Sequence, residues 1–286
     1  WTAARSPLDE SLRAVKRAGP RLPRIAVFDD DLRDALRGGW GDSTEPGFVS
    51  GKSGLDRNVR FGVVGATAHF QVGFDSSGDS PVAYGGHSAE TINYVSCHDD
   101  LSLVDKLRAS APEGMTEEEL VRFDKLAQTV VLTAQGIPSL FAGEEMLRTK
   151  GGVSNSHDSP DRVNRIDWSF KADHKDVFDY YRGLIALRRT HPAFRLATAA
   201  EIERHLRFLD TGDTHVVAYM LVDHAGDDPW REILVVYNGA RAEKRVRIPP
   251  GEWHAVCLDG RIASEALAVF SGDSVPVPAS SALIAY

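Results

Sequence analysis

Residues 1–192 alternate short apolar runs with longer segments of helical periodicity, which is typical of a parallel α/β fold. The clearest helix start is the capping box Thr116-Glu117-Glu118-Glu119. Helices are predicted over 6–19, 32–36, 117–134 and 175–190. The strand-like runs are Arg24–Phe28, Thr91–Cys97 and Ile137–Ala142. Residues 38–90 are rich in Gly, Ser and Asp, which predicts long loops around one or two short helices near 55–66.

After about residue 195 the pattern changes to short β-rich runs separated by Gly, Pro and Asp. The segment Arg245–Ile248 alternates polar and apolar positions, as a half-buried strand does. The runs are 205–209, 215–223, 231–238, 244–248, 252–258 and 275–286. Residues 194–286 are therefore predicted to form a separate antiparallel β-sandwich domain.

The net charge bears on two classes of partner, nucleic acid and membrane surfaces. The 286 residues carry 33 Lys and Arg against 41 Asp and Glu, a net charge of −8, which argues against nucleic acid and gives no reason to expect a membrane surface as partner. Two cysteines, Cys97 and Cys257, do not make a disulfide framework and are interpreted as buried free thiols. This suits a cytoplasmic protein without excluding export, and the oligomeric state is left open.

The sharpest candidate chemistry is His98-Asp99-Asp100, a polar triplet directly after a predicted strand. Catalytic groups of α/β barrels lie at the carboxyl ends of strands. A carboxylate there stabilises a developing cation, and a neighbouring imidazole hydrogen-bonds a substrate hydroxyl. The alternative is a plain turn in which an Asp caps the helix that starts near Leu101.

Two further pairs of charged residues are candidates for chemistry beside this triplet. Glu144-Glu145 ends the next predicted strand, or else it is a solvated turn or a buried carboxylate paired with an Arg. Asp161 and Arg165, four residues apart, suit a clamp on vicinal sugar hydroxyls, or else form a structural ion pair. A metal site is a weaker hypothesis, because no His-x-x-x-His or Cys-x-x-Cys spacing occurs among the candidate ligands: His98, Asp99, His157, Asp158 and Asp161.

Taken together, these segments resemble type I pullulanases of the α-amylase family, glycoside hydrolase family 13. Ile92–Leu107 (INYVSCHDDLSLVDKL) resembles their fourth conserved region, and Gly136–Glu145 (GIPSLFAGEE) their eighth barrel strand. Gly47–Ala68, Ser154–Trp168 and Pro278–Tyr286 resemble the preceding stretch, the substrate loop and the end of the C-terminal β domain. The fold class that this implies is α/β then all-β: strands six to eight of a (β/α)8 barrel over 1–193, followed by the β-sandwich domain.

The resemblance also implies roles for individual residues. Asp99 matches the transition-state-stabilising aspartate, and His98 the neighbouring histidine that contacts the sugar at the cleavage site. Asp100, Asp161 and Arg165 are expected to bind substrate. The family hydrolyses α-1,6-glucosidic links of branched α-glucans with retention of configuration, through an Asp nucleophile and a Glu acid. It implies no cofactor, although a structural calcium is compatible with it.

The sequence departs from the family at several positions. Asp100 stands where these enzymes usually have Asn, which adds a second carboxylate beside Asp99. Val104 replaces a usual Trp, and His157-Asp158 replaces a usual Tyr-Asn.

Trp1-Thr2-Ala3 resembles the tail of the family's acid motif, which would place the nucleophile and the acid before residue 1. The chain alone is therefore expected to be inactive, since three strands do not close an eight-stranded barrel. Three alternatives stay open: a non-catalytic α-glucan-binding module, an α-1,4-acting member of the family and a metal-dependent barrel hydrolase.

Overall fold

The computed structural model describes residues 25–73 and 83–286. The predicted helix over 6–19 and the acid-motif resemblance at Trp1 lie outside these residues. Within the described ranges, no helix combines the length and apolarity that crossing a bilayer requires.

The first sheet has three short parallel strands: β1 (Val27–Phe28), β2 (Thr91–Asn93) and β3 (Ile137–Pro138). β2 lies in the middle, and Ile92 pairs with Phe28 on one side and with Ile137 on the other. All three predicted strands form, but each is shorter than the apolar run from which it was predicted. Pairing of β2 stops at Asn93 and pairing of β3 at Pro138, and the rest of these two apolar runs continues without strand pairing beyond the carboxyl ends of the strands.

The described residues form eight α-helices, and local capping explains where several of them begin. The Asp29 carboxylate accepts a hydrogen bond from the Leu32 amide at 2.9 Å and so caps the first helix. The predicted capping box forms in full between Thr116 and Glu119. The helices are α1 (Asp30–Arg37), α2 (Asp56–Val63), α3 (Leu103–Ala109), α4 (Glu117–Thr133), α5 (Asp161–Asn164), α6 (Phe170–Asp173), α7 (Lys175–Thr190) and α8 (Ala199–His205).

The second sheet is antiparallel, with seven strands in the order β4-β5-β6-β10-β7-β8 and with β9 paired to β7. Its strands are β4 (Leu206–Leu209), β5 (Val216–Leu221), β6 (Ile233–Asn238), β7 (Lys244–Leu258), β8 (Arg261–Ile262), β9 (Ala268–Val277) and β10 (Ser281–Ala285). Two predicted strands, 244–248 and 252–258, are one long strand whose register shifts between Arg247 and Gly251. The predicted run 275–286 divides at a turn into the end of β9 and all of β10.

The two sheets share a hydrophobic core. β5 and β6 are buried at every position, as expected for strands covered on both faces. One face, including Tyr219 and Tyr237, joins the core that the helices form, and the other, including Val236, packs within a second core lined by β7 and β9. The all-β part is therefore packed against the α/β part, and the predicted boundary at residue 193/194 stays a prediction.

A chain of hydroxyl groups crosses the contact between α4 and the antiparallel sheet. Thr133 and Tyr237 hydrogen-bond through their hydroxyls, and Tyr219 donates to the Thr133 carbonyl at 3.1 Å. Nearby, the Arg188 guanidinium of α7 binds the carbonyls of Leu132, Ala134 and Gly136 at 2.6–3.0 Å. These contacts satisfy the polar groups at the end of α4 inside the shared core.

Candidate active edge

The carboxyl ends of the three parallel strands lie at one edge of the first sheet, because parallel strands end on the same side. The segments that follow them are residue 29, residues 94–102 and residues 139–160, and the last two carry the His98-Asp99-Asp100 triplet and the Glu144-Glu145 pair. We call this region the active edge.

His98 and Asp99 lie in the loop after the middle strand and are open to solvent. Their side chains are 70% and 48% exposed, and the His98 Nε2 atom is 3.3 Å from the Asp99 Oδ1 atom. An accessible carboxylate beside an imidazole is able to meet a developing positive charge and to hydrogen-bond a hydroxyl group.

Asp100 is held quite differently from Asp99. Its backbone is left-handed, with φ +61°, a conformation that Asp tolerates better than most residues. Its Oδ2 atom accepts a hydrogen bond from Arg37 Nη2 at 2.7 Å, and the Arg37 side chain is only 1% exposed. Arg37 thus offsets the second negative charge that the sequence places beside Asp99. The alternative in which an Asp of this triplet caps the next helix is wrong, because Ser102 caps α3.

Lys150 reaches the same loop from the segment after β3. Its Nζ atom donates to the carbonyls of His98 at 3.3 Å, Ser154 at 3.2 Å and Asp100. Its backbone amide donates to the Asp105 carboxylate at 2.7 Å, which ties the segment to α3. Burial lowers the pKa of the Lys150 ammonium.

Glu144 is a buried carboxylate beneath the active edge and not a solvated turn. Three groups hydrogen-bond it: the Ser96 hydroxyl, the Gln128 amide at 3.0 Å and the Phe141 backbone amide at 3.1 Å. No Arg pairs with it among the described residues. Burial raises its pKa to about 7, although the hydrogen bond from Ser96 works in the opposite direction.

Asp161 begins the short helix α5 and Arg165 directly follows it, and both are exposed. The Arg165 amide donates to the Asp161 carbonyl at 2.7 Å, which fixes the backbone between them. Their side chains make no ion pair with each other within the described residues. The structural ion pair that the spacing allows is therefore not formed, and both side chains are free to meet a ligand.

The described residues contain one compact group of ligand-type atoms, on Cys97, His98 and Asp99. Calcium prefers six to eight oxygen ligands, whereas this group offers a single carboxylate. Burial raises the pKa of the Cys97 thiol, which opposes the thiolate form that zinc requires. The donor set fits neither metal, and no step is derived through one.

Fold and site define an α/β protein with an accessible carboxylate and imidazole at the carboxyl edge of a parallel sheet, and with an antiparallel β domain packed behind it. Comparison with known proteins shows which family this chain resembles. Residues 202–261 match the family described as pullulanase, all-beta domain. The chain is 34% identical to the pullulanase of Bacillus subtilis (strain 168) over 87% of its length, which covers 33% of that protein.

Solved structures give the same result. The pullulanase from Bacillus acidopullulyticus superposes with a TM-score of 0.88 at 40% identity, over 98% of this chain and 32% of that one. The pullulanase from Paenibacillus barengoltzii, in complex with maltohexaose and alpha-cyclodextrin, gives 0.84 at 38% identity over 98% and 41%. The resemblance to pullulanases, which are glycoside hydrolases, is therefore confirmed. The chain spans about a third of the length of the curated Bacillus subtilis relative.

Sequence reasoning missed the buried cations that hold the active edge. Arg37 ends a helix of ordinary amphipathic pattern, and nothing in that pattern distinguishes it from a solvent-exposed Arg. Lys150 stands in the run Arg-Thr-Lys-Gly-Gly between two candidate motifs, and that position was the only available signal.

Proposed function

We propose that this chain contributes the transition-state-stabilising part of a debranching glycoside hydrolase that cuts α-1,6-glucosidic links in branched α-glucans and retains configuration. Asp99 stabilises the positive charge that develops on the sugar ring, and His98 donates a hydrogen bond to a hydroxyl of the same sugar. Asp100, Asp161 and Arg165 bind the substrate.

One observation carries this proposal: the exposed Asp99–His98 pair lies after the middle strand of the parallel sheet, on a loop that neighbouring segments hold on both sides. Asp161 and Arg165, an exposed acceptor at the start of α5 and an exposed donor directly after it, are proposed to reach the same substrate. We also propose that the three strands are strands six to eight of an eight-stranded barrel, and that residues 194–286 form the C-terminal domain.

The nucleophile and the general acid are proposed to lie outside the 286 residues, so that the chain alone is inactive on pullulan. The test compares the purified chain with the complete product of the gene that encodes it, by release of reducing ends. Only the complete product is expected to turn over. In pullulan, α-1,6 links join maltotriose units, so maltotriose as the product supports α-1,6 cleavage, and other oligosaccharides support the α-1,4 alternative.

Asp99→Asn in the complete product tests the site itself. We expect kcat to fall at least about a hundredfold, because a preorganised charge aimed at the transition state is lost. Asp273→Asn, an exposed change in β9, is the matched control. Unchanged kcat in Asp99→Asn contradicts the assignment.

A second function, α-glucan binding without cleavage, is favoured by the exposed and unpaired Asp161 and Arg165. Calorimetric titration with maltotriose tests it. Binding by a complete gene product that shows no hydrolysis supports this function and contradicts the first.

A further inference from the structure

Arg37 is a buried arginine whose hydrogen bonds converge on the end of the loop that carries Asp99. Its Nη2 atom binds Asp100 Oδ2 at 2.7 Å, and its Nη1 atom binds the Leu101 carbonyl at 3.0 Å. Its Nε atom finds no hydrogen-bond partner in the part of the chain that the structure describes. Removing a guanidinium from water is costly, so a fully buried Arg must be compensated by the contacts it makes.

The environment of Arg37 is otherwise unfavourable to a cation. Burial lowers the pKa of the guanidinium, and the neighbouring Arg33 acts in the same direction. Asp100 is the acid that opposes this effect most strongly, and it is the only carboxylate that pairs with Arg37 within the described residues. The contact is also non-local, since 63 positions separate the two residues.

Lys150 is a second cation that binds the same loop. Its ammonium binds the carbonyls of His98 and Asp100, the two residues that flank Asp99. Arg37 binds the Asp100 side chain and the next carbonyl. The backbone on both sides of Asp99 is thus fixed, while the Asp99 side chain itself stays exposed.

We propose that Arg37 is a positioning residue for the proposed active site: it orients the loop through Asp100 and neutralises the Asp100 carboxylate, so that Asp99 acts as the single uncompensated charge. This inference rests on the proposed role of Asp99. It also gives the unusual Asp at position 100 a physical account, because the added carboxylate has a buried counter-charge. Asp100 Oδ1, which has no partner among the described residues, stays available to a substrate hydroxyl.

The experiment is a double-mutant cycle in the complete gene product, with kcat and KM on pullulan and the melting temperature as readouts. Arg37→Met removes the only ion-pair partner that Asp100 has among the described residues and leaves its carboxylate beside Asp99, and we expect kcat to fall about 10- to 100-fold, as for a misplaced catalytic group. Asp100→Asn alone removes the counter-charge of Arg37 and alters a proposed substrate contact, so the melting temperature is expected to fall and KM to rise. Its kcat is expected to change less than about fivefold, since the amide oxygen still accepts from Arg37. In the double variant Arg37→Met/Asp100→Asn the stray charge is gone, and kcat recovers at least about fivefold over Arg37→Met.

Recovery in the double variant separates positioning from a merely structural role, because deleting a second contact does not restore a fold. Arg188→Met, a change at another buried Arg, is the matched control: it is expected to lower the melting temperature with kcat retained. If Arg37→Met does not fold, Arg37→Lys is measured in its place. Lys keeps the positive charge but loses one of the two hydrogen bonds that the guanidinium makes to Asp100 and to the Leu101 carbonyl. We then expect kcat to fall about three- to tenfold.

Normal kcat in the folded Arg37 variant, or a double variant no better than Arg37→Met, overturns the inference. Asp99→Asn is measured in parallel to separate the two proposals. If Asp99→Asn loses activity while the Arg37 variant keeps its kcat, only the positioning role fails. If Asp99→Asn stays fully active, both the positioning role and the proposed function fail.

Discussion

Glu144→Gln is expected to remove a pH dependence of stability that the fold imposes. The Glu144 side chain is buried among Ser96, Gln128 and the Phe141 amide, with the residue 2% exposed. A neutral side chain of the same shape fits these partners, because its oxygen accepts from Gln128 and the Phe141 amide while its other end faces the adaptable Ser96 hydroxyl.

The magnitude follows from the shift in pKa. Folding raises the Glu144 pKa from 4.5 to about 7, so between these values the native state holds a proton that the unfolded chain has released. The free energy of unfolding therefore falls as the pH rises through this window and levels off above it. The full shift corresponds to at most about 3 kcal/mol.

Urea unfolding of the purified chain at pH 5 and pH 8, followed by circular dichroism, measures this effect. We expect Glu144→Gln to match the wild type at pH 5 and to exceed its free energy of unfolding by about 1–3 kcal/mol at pH 8. Asp124, a second buried acid whose pKa burial raises, adds a slope in both proteins, and Glu144→Gln weakens that slope as well by removing the repulsion between the two carboxylates. Glu145→Gln is the matched control on the neighbouring residue. A variant that is equally destabilised at both pH values refutes the reasoning.

Three further predictions concern the shared core. Tyr237→Phe leaves Thr133 without its hydroxyl partner and is expected to lower the free energy of unfolding by about 1–3 kcal/mol in urea, whereas no loss contradicts the role of the hydroxyl chain. Arg188→Met leaves three backbone carbonyls without their hydrogen-bond donor and is expected to lower the free energy of unfolding by about 3–5 kcal/mol in the same measurement. A loss below about 1 kcal/mol contradicts this. Burial raises the pKa of Cys257 to about 12, so a thiol reagent at pH 8 is expected to label Cys257 only after urea is added, and rapid labelling of the native chain contradicts this.

Local signals in the sequence predicted the helices well. The capping box at Thr116 and Glu119 forms as expected, since both partners lie within one turn and need no distant contact. The helix predicted over 175–190 matches α7 at both ends. Pairing across a sheet is non-local, and for that reason the strand predicted over Thr91–Cys97 ends at Asn93.

The relation between the two sheets was not predictable from pattern alone. A run such as Val216–Leu221 is apolar without alternation, which is compatible with a strand buried on both faces but does not name what covers it. The sequence suggested a separate sandwich. The structure packs one face of β5 and β6 against the helical core, through residues such as Tyr219 and Tyr237.

In the candidate site, too, neighbouring residues could be predicted from the sequence, whereas contacts between distant segments could not. His98 and Asp99 are adjacent in sequence and were found as a motif, but an exposed carboxylate acts in catalysis only if its backbone is held in place. Arg37 and Lys150 supply that hold from segments 63 and 50 positions away from Asp100. The Asp at position 100 has its counterpart in Arg37, a partner that only the folded chain brings near. A departure from a family motif is therefore best judged by the contacts that the changed residue makes in the fold. Here the extra carboxylate of Asp100 pairs with Arg37, and this pair holds the loop that carries Asp99.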